Sequence, residues 1–592
     1  MSNSFRVLLR ESWQNLKQNI WTYMITGLAL QVVVGYVAKG LLSFVFNRVL
    51  GFAGIVGLTT DTWSAIISHP LALLFFIIYL LLLVSIIYIE FAILTVTVTR
   101  TVTPLSFRKI IKGLPGKFRQ LLGPQLLVFL FYLILMIPLA NLGLKSTLLE
   151  HFKIPNSISG ELTKTSAGKG FYYTFLSILA YLNLRLIYFL PLYTISDEKP
   201  NYILKKSWQL TQKRQFKILG VIAFYTLVTT GLLILFYAGS ALVFALLDFQ
   251  GKNLPIQTLF YSVIKGFNLL GNISLKYVLI IILVEHLASL DDLKSLPYLS
   301  AEEVTWQFPK WLYLFLPLTL ILWLISNGLS LYLLQGNSQV HMIAHRGDVS
   351  QGVENSIPAM QAAHRAGADY SEMDVVMTKD QKFVVSHDNN LERLTGLDKN
   401  ISDMTWSELK HIKTYQNGHT SHIASLEEFM TAAQASKQKI IIELKPYGYE
   451  PDNYIDLFVK EIKRLKAVQG NQVMSQDLDV AEEVERQLPE AQTGYLVPLQ
   501  FGTFSKHRVD FYAIEEFSYT ELAALSAYNQ KKDLYVWTIN DSSLMMRFLQ
   551  SPVNGIITDK LKLFKRDQED IANDNNYWDR VLRLLDIDLG QS

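Results

Sequence analysis

The chain of 592 residues contains no cysteine. That absence excludes disulfide bonds, thiolate metal ligands and a cysteine nucleophile. Charged residues are also scarce: they make up 18% of the chain, against 50% for hydrophobic residues, which is too apolar for a wholly water-soluble protein. The formal net charge is only +3, so the charge balance gives no reason to expect binding to nucleic acid.

The apolar residues are concentrated in the first part of the chain. Residues 1–335 contain long apolar runs, whereas the rest has the composition of an ordinary soluble domain. A chain of this length is too long for a single hydrophobic core. We therefore predict a polytopic, α-helical membrane domain over residues 1–335, an α/β domain over residues 336–562 and a charged, helical tail over residues 563–592.

Seven segments of the first domain are long and apolar enough to cross a hydrocarbon layer of about 30 Å. They cover residues 20–38, 71–97, 121–143, 171–196, 218–247, 268–290 and 311–334. The polar N-terminal stretch is not followed by a short apolar region with a small-residue cleavage site. We therefore interpret the first segment as an uncleaved membrane helix.

Lys and Arg residues in the connecting loops predict the orientation of the chain. Alternate loops on one side hold seventeen of them, and the loops on the other side hold eight. Loops rich in Lys and Arg stay in the cytoplasm, so we place the N-terminus inside. With seven crossings, the chain after Leu334 lies on the extracellular face of the cell membrane. An even number of crossings would reverse this orientation.

The ionisable residues inside the predicted spans include Glu90, Arg185, Glu285 and His286. Such groups are costly in lipid and mark either a functional polar cavity or an interhelical pair. For Glu90, Glu285 and His286, a position near a helix end would also allow the side chain to reach the interface. Both the functional and the structural interpretation stay open at this point.

From Gln339 onward, short β-rich runs alternate with helical stretches, the pattern of βα units around a parallel sheet. Eight candidate strands cover residues 340–344, 370–376, 440–444, 472–475, 493–497, 511–514, 534–538 and 555–558. A ninth run, 383–386, follows the second too closely for a crossover helix and predicts a hairpin. Residues 391–435 then form an insertion, and the whole predicts a (β/α)₈ TIM barrel.

Three acidic residues converge in this arrangement. Glu372 and Asp374 are two positions apart on one strand, so their side chains point to the same face. Glu443 ends the strand that follows in the barrel. Three converging carboxylates without cysteine predict a site for a hard divalent cation, Ca²⁺ or Mg²⁺, with Mn²⁺ as a further possibility. The alternative is a partly exposed strand edge carrying surface acids.

Two histidines and two cations follow strands at the same rim. His345 and His387 suit paired general base and general acid work, because imidazole titrates near neutrality. Arg346 and Lys445 suit the binding of phosphate oxygens. A glycosidase would also explain clustered carboxylates, but it does not explain the two histidines together with the two cations. A phosphate ester is therefore the favoured substrate.

Seven short motifs carry a family resemblance. They are His345-Arg-Gly, Glu354-Asn-Ser, Glu372-Met-Asp, His387-Asp, Glu443-Leu-Lys, Trp537-Thr-Ile-Asn and Ile557-Thr-Asp. In order and spacing, the set resembles the glycerophosphodiester phosphodiesterases across the predicted barrel, and the apolar half resembles the membrane domain of some bacterial members. Ser356 stands where Thr is commoner in that family, which preserves a hydroxyl for capping a helix.

The resemblance implies metal-dependent hydrolysis of glycerophosphodiesters to glycerol 3-phosphate and an alcohol. It also implies an acid–base pair, three metal ligands and three substrate-binding residues. By this resemblance, His345 and His387 are the acid–base pair, and Glu372, Asp374 and Glu443 are the metal ligands. Arg346, Lys445 and Trp537 bind the substrate. Alternatives are the same chemistry on lysophospholipid, phospholipid or polyglycerol-phosphate, and a catalytically minor lipid-binding or transport protein.

Two further predictions concern the segments that precede and follow the barrel. Only a short link separates the last predicted span from the first strand at Val340, so we expect the barrel to lie against the membrane surface. In the tail, the segment that begins at Trp578 predicts an amphipathic helix. We expect that helix to pack on the barrel, with contact to the membrane domain or to a partner as the alternative.

Overall fold

Helices account for the N-terminal part of the chain in the computed structural model. The structure describes residues 5–55, 58, 63–102, 125–136, 146, 148, 159, 162–163, 166–196, 198–212, 215–288, 311–333, 339–500, 502–573 and 576–585. The N-terminal helices are α1 (Phe5–Val32), α2 (Lys39–Ala53), α3 (Trp63–Ser68), α4 (Pro70–Val102), α5 (Gln125–Met136), α6 (Ser166–Arg185), α7 (Phe189–Ile195), α8 (Pro200–Thr211), α9 (Gln215–Leu247), α10 (Leu254–Ala288) and α11 (Trp311–Leu333). A π-helical turn, Val33–Ala38, joins α1 to α2.

Five helical stretches among the described residues are long and apolar enough to cross a membrane, a structure that satisfies every backbone polar group internally. They are Leu9–Ala53, Pro70–Thr99, Ser166–Ile195, Leu219–Leu247 and Leu254–Leu287. A shorter apolar helix covers Pro317–Tyr332, within the last predicted span. The predicted span 121–143 lies partly outside the described residues. The number of crossings, seven, therefore stays a prediction.

Glu90, Arg185 and His286, three of the ionisable residues in the predicted spans, make contacts within the membrane domain. Lys276 Nζ lies 3.0 Å from Glu90 Oε1, which joins α10 to α4. The Arg185 guanidinium donates to the carbonyl of Trp208 at 2.7 Å and lies 4.4 Å from the centroid of its ring. His286 Nδ1 is 2.6 Å from Tyr188 Oη. These contacts favour the structural interpretation, in which the groups compensate one another across helix interfaces.

Eight parallel strands close into a barrel, which confirms the predicted fold. The strands of the sheet are β1 (His341–Ala344), β2 (Tyr370–Met377), β3 (Phe383–Val385), β6 (Lys439–Leu444), β7 (Gln472–Ser475), β8 (Gln492–Val497), β9 (Phe511–Glu515), β10 (Asp533–Trp537) and β11 (Gly555–Thr558). Their order is β1-β11-β10-β9-β8-β7-β6-β2, and β2 pairs with β1 to complete the circle. Strand β3 pairs with β2 in antiparallel fashion, as the short gap between them predicts.

The barrel helices lie outside this circle. They are α12 (Ile357–Arg365), α15 (Leu426–Ser436), α16 (Tyr454–Arg464), α17 (Leu478–Gln487), α18 (Glu521–Asn529), α19 (Ser542–Leu549) and α20 (Leu561–Ala572). Between β3 and α15 the chain forms two short helices, α13 (Glu392–Thr395) and α14 (Trp406–Leu409), and a hairpin of β4 (Lys413–Gln416) and β5 (His419–His422). Helix α15 falls within the predicted insertion, yet it packs on β3 and β6 and so supplies the crossover that a parallel pair requires.

The C-terminal helix joins the two halves of the molecule. Helix α21 (Tyr577–Leu584) contacts α10 and α11 of the membrane domain as well as α19 of the barrel. The Trp578 ring stacks on Phe260 with centroids 5.0 Å apart, and Val581 is fully buried. Arg580 donates to the carbonyl of Leu331 at 3.1 Å. The expected packing on the barrel is therefore only part of the contact, because the buried side of α21 rests on the membrane domain.

Candidate active site

Three carboxylates meet at the carboxyl ends of β2 and β6. These strands pair in parallel, with Asp374 opposite Glu443 and Glu372 two residues earlier on β2. One ligand oxygen from each of the three lies within 4.8 Å of the others. Their exposed fractions are only 2%, 1% and 6% for Glu372, Asp374 and Glu443. The alternative of surface acids on an exposed edge is therefore wrong.

Burial and mutual repulsion shift the pKa values within this cluster. Burial, followed by the charges of Asp374 and Glu443, raises the pKa of Glu372 well above its usual range. Burial also raises the pKa of Glu443, to about 7. Asp374 differs: burial opposes its ionisation, but the charges of Lys445, His387 and Arg346 hold its pKa well below the usual range. The cluster therefore has too little positive charge for three ionised carboxylates.

Two cationic side chains border the cluster. Lys445 Nζ lies 3.3 Å from Asp374 Oδ1 and 3.5 Å from Glu443 Oε1. Arg346 Nε lies 3.3 Å from Asp374 Oδ2, and its backbone N–H donates to Glu372 Oε2 at 2.8 Å. Both cations lie at the rim where a phosphate would meet the carboxylates, as their position after β1 and β6 predicts.

A tight turn after β1 brings Arg346 to this position. Arg346 has φ of 57°, in the left-handed region. At the following Gly347, φ is 86°, and a Cβ would lie 2.7 Å from the backbone carbon of Ala359. Only glycine fits there without a shift of α12. Ser356 accepts a hydrogen bond from the N–H of Ala359 at 3.3 Å and caps α12, which confirms the capping role expected for its hydroxyl.

His345 is held by a carboxylate from the last strand of the barrel. Its Nδ1 lies 2.8 Å from Asp559 Oδ1. Asn540 donates to Asp559 Oδ2 at 2.7 Å and accepts from the Asp559 N–H at 2.8 Å. Burial opposes ionisation of Asp559, but the contact with His345 and the hydrogen bond from Asn540 lower its pKa to about 2. An ionised Asp559 accepts a hydrogen bond from the Nδ1–H of His345 and leaves Nε2 of that ring for proton transfer.

His387 has a similar partner but a more cationic setting. Its Nδ1 lies 2.6 Å from Asp388 Oδ1, and Arg393 Nε donates to Asp388 Oδ2 at 2.6 Å. Burial opposes ionisation of Asp388, but His387 and Arg393 lower its pKa to about 2. Burial and the charges of Arg346 and Lys445 lower the pKa of His387 itself. The two histidines therefore share a geometry and differ in electrostatic surroundings.

Several residues that complete the site were not predicted. Arg393, from the insertion, makes a two-pronged ion pair with Glu354, and Arg346 donates to Glu354 at 3.1 Å. Asn355 donates to Asp374 Oδ2 at 2.7 Å and accepts from the Asp374 N–H at 3.0 Å. The Glu354-Asn-Ser motif signalled this segment, but nothing in the sequence indicated that Arg393 would join it.

Two aromatic side chains, Trp537 and Tyr447, lie at or just after the carboxyl ends of β10 and β6. Trp537 ends β10 and packs against the apolar interior of the barrel. Its Nε1 is buried and has no hydrogen-bond partner among the described residues. Tyr447 donates its hydroxyl to the carbonyl of His387 at 2.7 Å and stacks with Tyr449 at 6.2 Å. All eight residues assigned to the site from the sequence thus lie at the carboxyl ends of β1, β2, β3, β6 and β10.

Comparisons with known proteins agree along most of the chain. Residues 9–326 match the family model described as the membrane domain of glycerophosphoryl diester phosphodiesterase. Residues 345–563 match the glycerophosphoryl diester phosphodiesterase family itself. Over 228 residues, the chain is 28% identical to a glycerophosphodiester phosphodiesterase of Caldanaerobacter subterraneus subsp. tengcongensis, covering 37% of this chain and 93% of that protein.

Further similarities are more local. Over 67 residues the chain is 48% identical to human lysophospholipase D GDPD1, which covers 11% of this chain and 21% of that protein. A solved glycerophosphodiester phosphodiesterase from Parabacteroides distasonis aligns with a TM-score of 0.36 and 26% identity, covering 40% of this chain and 100% of that one. A phosphodiesterase from Oleispira antarctica, in complex with the product sn-glycerol-3-phosphate, aligns with a TM-score of 0.34 and 20% identity, covering 39% and 96%.

The two family models together account for the apolar half and for the barrel, in the order that the sequence predicts. The membrane-domain match alone spans more than half of the chain. This chain therefore belongs to the glycerophosphoryl diester phosphodiesterase family, as a phosphoric diester hydrolase that carries the membrane domain of that family.

Proposed function

We propose that the barrel hydrolyses glycerophosphodiesters to glycerol 3-phosphate and an alcohol at the site centred on Glu372, Asp374 and Glu443. The observation that supports this proposal is the convergence of three buried carboxylates with two histidines, each held by its own aspartate. Carboxylates alone would suit several reactions. The paired imidazoles and the two cations together suit a phosphodiester, whose cleavage needs charge neutralisation and two proton transfers.

The carboxylate cluster fits one divalent cation. Its three oxygen donors are buried and lie within 4.8 Å of one another, and hard cations such as Ca²⁺, Mg²⁺ or Mn²⁺ prefer such donors. The raised pKa of Glu372, caused by burial and by its carboxylate neighbours, supports the fit, because a cation would compensate that repulsion. Bound there, the ion would supply positive charge to the phosphate oxygens.

The other side chains of the site would bind the substrate and transfer protons. Arg346 and Lys445 bind the other phosphate oxygens, and Trp537 forms a wall of the pocket. One histidine accepts, at its Nε2, the proton of the attacking oxygen as that oxygen bonds to phosphorus. The other histidine donates its Nε2 proton to the leaving alkoxide as the P–O bond to that alkoxide breaks. The attacking oxygen belongs to water or to the 2-hydroxyl of the glycerol moiety. In the second case a cyclic phosphate forms first and is then opened by water.

A lysophospholipid is the second candidate substrate. The local identity with a human lysophospholipase D favours it, and so does the contact of the barrel with the membrane domain through α21. Phospholipid and polyglycerol-phosphate would meet the same site. We further propose that residues 1–335 form the multi-pass membrane domain, that residues 336–562 form the barrel on the extracellular face and that residues 563–592 form a helical tail.

The direct test is a metal-dependence assay on the purified full chain. The protein is stripped with a chelator, reloaded with Ca²⁺, Mg²⁺ or Mn²⁺, and offered glycerophosphocholine, glycerophosphoglycerol, lysophospholipid and polyglycerol-phosphate. We expect turnover only after reloading, with glycerol 3-phosphate as a product of the glycerophosphodiesters. His345→Ala and His387→Ala each lower kcat by about 10²-fold to 10⁴-fold.

The matched control is His364→Ala, because His364 lies exposed on the outer helix α12. It leaves kcat unchanged. Full activity after exhaustive chelation contradicts the role of the cation, and wild-type turnover in both site variants contradicts the acid–base assignment. Protease accessibility of the barrel in intact cells tests the proposed orientation.

A further inference from the structure

Helix α18 turns its large apolar side chains away from the barrel. Its buried positions are all alanine, whereas Leu522, Leu525 and Tyr528 are 60%, 53% and 77% exposed. The three residues follow one another at every third position and therefore lie along one side of the helix. We call Leu522, Leu525 and Tyr528 the outer apolar face. A helix on a water-exposed surface has the opposite pattern, with its large apolar residues inward.

Neighbouring helices of the same barrel follow the ordinary pattern. Helix α16 buries Phe458 and Ile462 and exposes Lys460. Helix α17 buries Val484 and exposes Arg486. The reversed pattern of α18 is therefore a local property, and its side of the barrel meets surroundings different from those of α16 and α17.

The loop after β8 contacts both α18 and the membrane domain. Within this loop, the Phe504 N–H donates to the Ser526 hydroxyl at 3.1 Å, and Gln530 Nε2 donates to the Phe504 carbonyl at 2.9 Å. Leu499 of the same loop packs against an apolar cluster of the membrane domain that includes Leu50 on α2. One face of α18 thus holds the loop that contacts the membrane domain.

A second contact lies next to the first. Helix α19 shares a buried apolar cluster with α18, and its Phe548 ring meets the ring of Tyr519, which precedes α18, edge to face with centroids 5.1 Å apart. Helix α19 in turn contacts α21, which packs on α10 and α11. Two elements near α18, the loop after β8 and helix α19, are therefore connected to the membrane domain, through Leu499 and through α21.

We propose that the outer apolar face rests in the interfacial layer of the same lipid bilayer that holds the N-terminal helices. Leucine gains from leaving water there, and tyrosine suits the boundary because its ring is apolar and its hydroxyl remains hydrated. A bilayer is favoured over a protein partner, because the loop after β8 and helix α19, both near α18, are already connected to the membrane domain. The position of the outer apolar face at the bilayer does not depend on which substrate the barrel hydrolyses.

The absence of cysteine from the chain allows a direct test. A cysteine introduced as Leu525→Cys in the full chain is labelled with an environment-sensitive fluorophore, and the protein is placed in phospholipid nanodiscs. Lys460→Cys on α16 is the matched control, since Lys460 is exposed on a helix with the ordinary pattern. Tyr528→Cys provides a second position on the outer apolar face in case the first variant folds poorly.

We expect spin-labelled lipids to quench the labels at positions 525 and 528 at least threefold more than the label at position 460. Aqueous iodide should show the reverse order. Equal access to iodide at all three positions overturns the proposal, because the face then lies in water. Protection from both quenchers at positions 525 and 528 also overturns it, because another part of the chain or a second copy then covers the face.

Discussion

The membrane domain and the barrel both bury carboxylates, but they compensate them differently. In the membrane domain, the Glu90 carboxylate lies 3.0 Å from the Lys276 ammonium, so the two charges offset each other. In the barrel, one oxygen each of Glu372, Asp374 and Glu443 lies within 4.8 Å of the others, beside the cationic side chains of Arg346 and Lys445. A buried pair is a structural element, whereas a buried excess of negative charge calls for an external cation. The Glu90–Lys276 pair is therefore a packing contact, whereas the carboxylate cluster of the barrel is a candidate site for chemistry.

The largest effect is expected for Glu443→Gln, which tests the carboxylate cluster of the barrel. The change removes a carboxylate without changing the shape of the side chain, and we expect kcat/KM to fall on the order of 10³-fold, about 4 kcal/mol, together with cation affinity. In metal-free protein the same change relieves repulsion, so the thermal midpoint should not fall. Glu427→Gln, on the exposed side of α15, is the control. Unchanged cation affinity in Glu443→Gln would sink the proposed ligand role.

Asp559→Asn and Asp388→Asn test the groups that hold the histidines. Each change keeps the shape but removes the charge that orients Nδ1, and we expect kcat to fall by about 10²-fold with little change in KM. The effect is smaller than loss of the imidazole itself. Steady-state kinetics measure it, with the exposed Asp479→Asn as control. A change confined to KM would show that these aspartates serve binding instead of proton transfer.

Glu90→Gln tests the membrane-domain side of the comparison. It leaves the Lys276 ammonium buried without its charge partner, and breaking such a pair costs about 3–5 kcal/mol. We expect a lower thermal midpoint in detergent but kcat within about twofold of wild type, because the pair lies outside the chemical site. The double variant Glu90→Gln/Lys276→Met should regain stability. Loss of activity at unchanged stability would instead assign a functional role to Glu90.

The smallest effect is expected at the opposite end of the barrel, at His341→Gln. The Asp369 carboxylate, whose Oδ2 lies 3.7 Å from His341 Nδ1, raises the pKa of His341. A raised pKa in the folded protein stabilises it at pH values below the unfolded pKa of about 6.5, and that contribution is lost as the pH rises through the folded value. The variant should therefore lose thermal stability at pH 5.5 but not at pH 8.5, with unchanged kcat. Equal destabilisation at both pH values would contradict this linkage.

Much of the barrel could be predicted because its signals are local. The strand bounds follow from short β-rich runs, and the Thr378–Lys382 gap alone predicts the β2–β3 hairpin, which the structure confirms. The spacing of Glu372 and Asp374 places both carboxylates on one face whatever the rest of the chain does. Strand alternation therefore sufficed to place Glu372 and Asp374 on the same face of β2.

The supporting contacts could not be predicted in the same way. Arg393 comes from the insertion and reaches Glu354, which is 39 residues earlier in the chain. Lys276 and Glu90 are 186 residues apart. The sequence marked Glu90 and Glu354 as notable positions, but it did not indicate Lys276 or Arg393 as their partners. Their partners are set by how separate elements pack, and neither periodicity nor spacing carries that information.

The sequence by itself determined the order of the two domains, the barrel and the residues that carry the chemistry, because hydropathy, strand alternation and short motifs are properties of neighbouring residues. Only the tertiary structure decided how the charges are compensated, how the histidines are held and where the C-terminal helix rests. It alone revealed that Leu522, Leu525 and Tyr528 point away from the barrel. The physical reason is that burial and pairing belong to packed surfaces, which form only when distant parts of the chain meet.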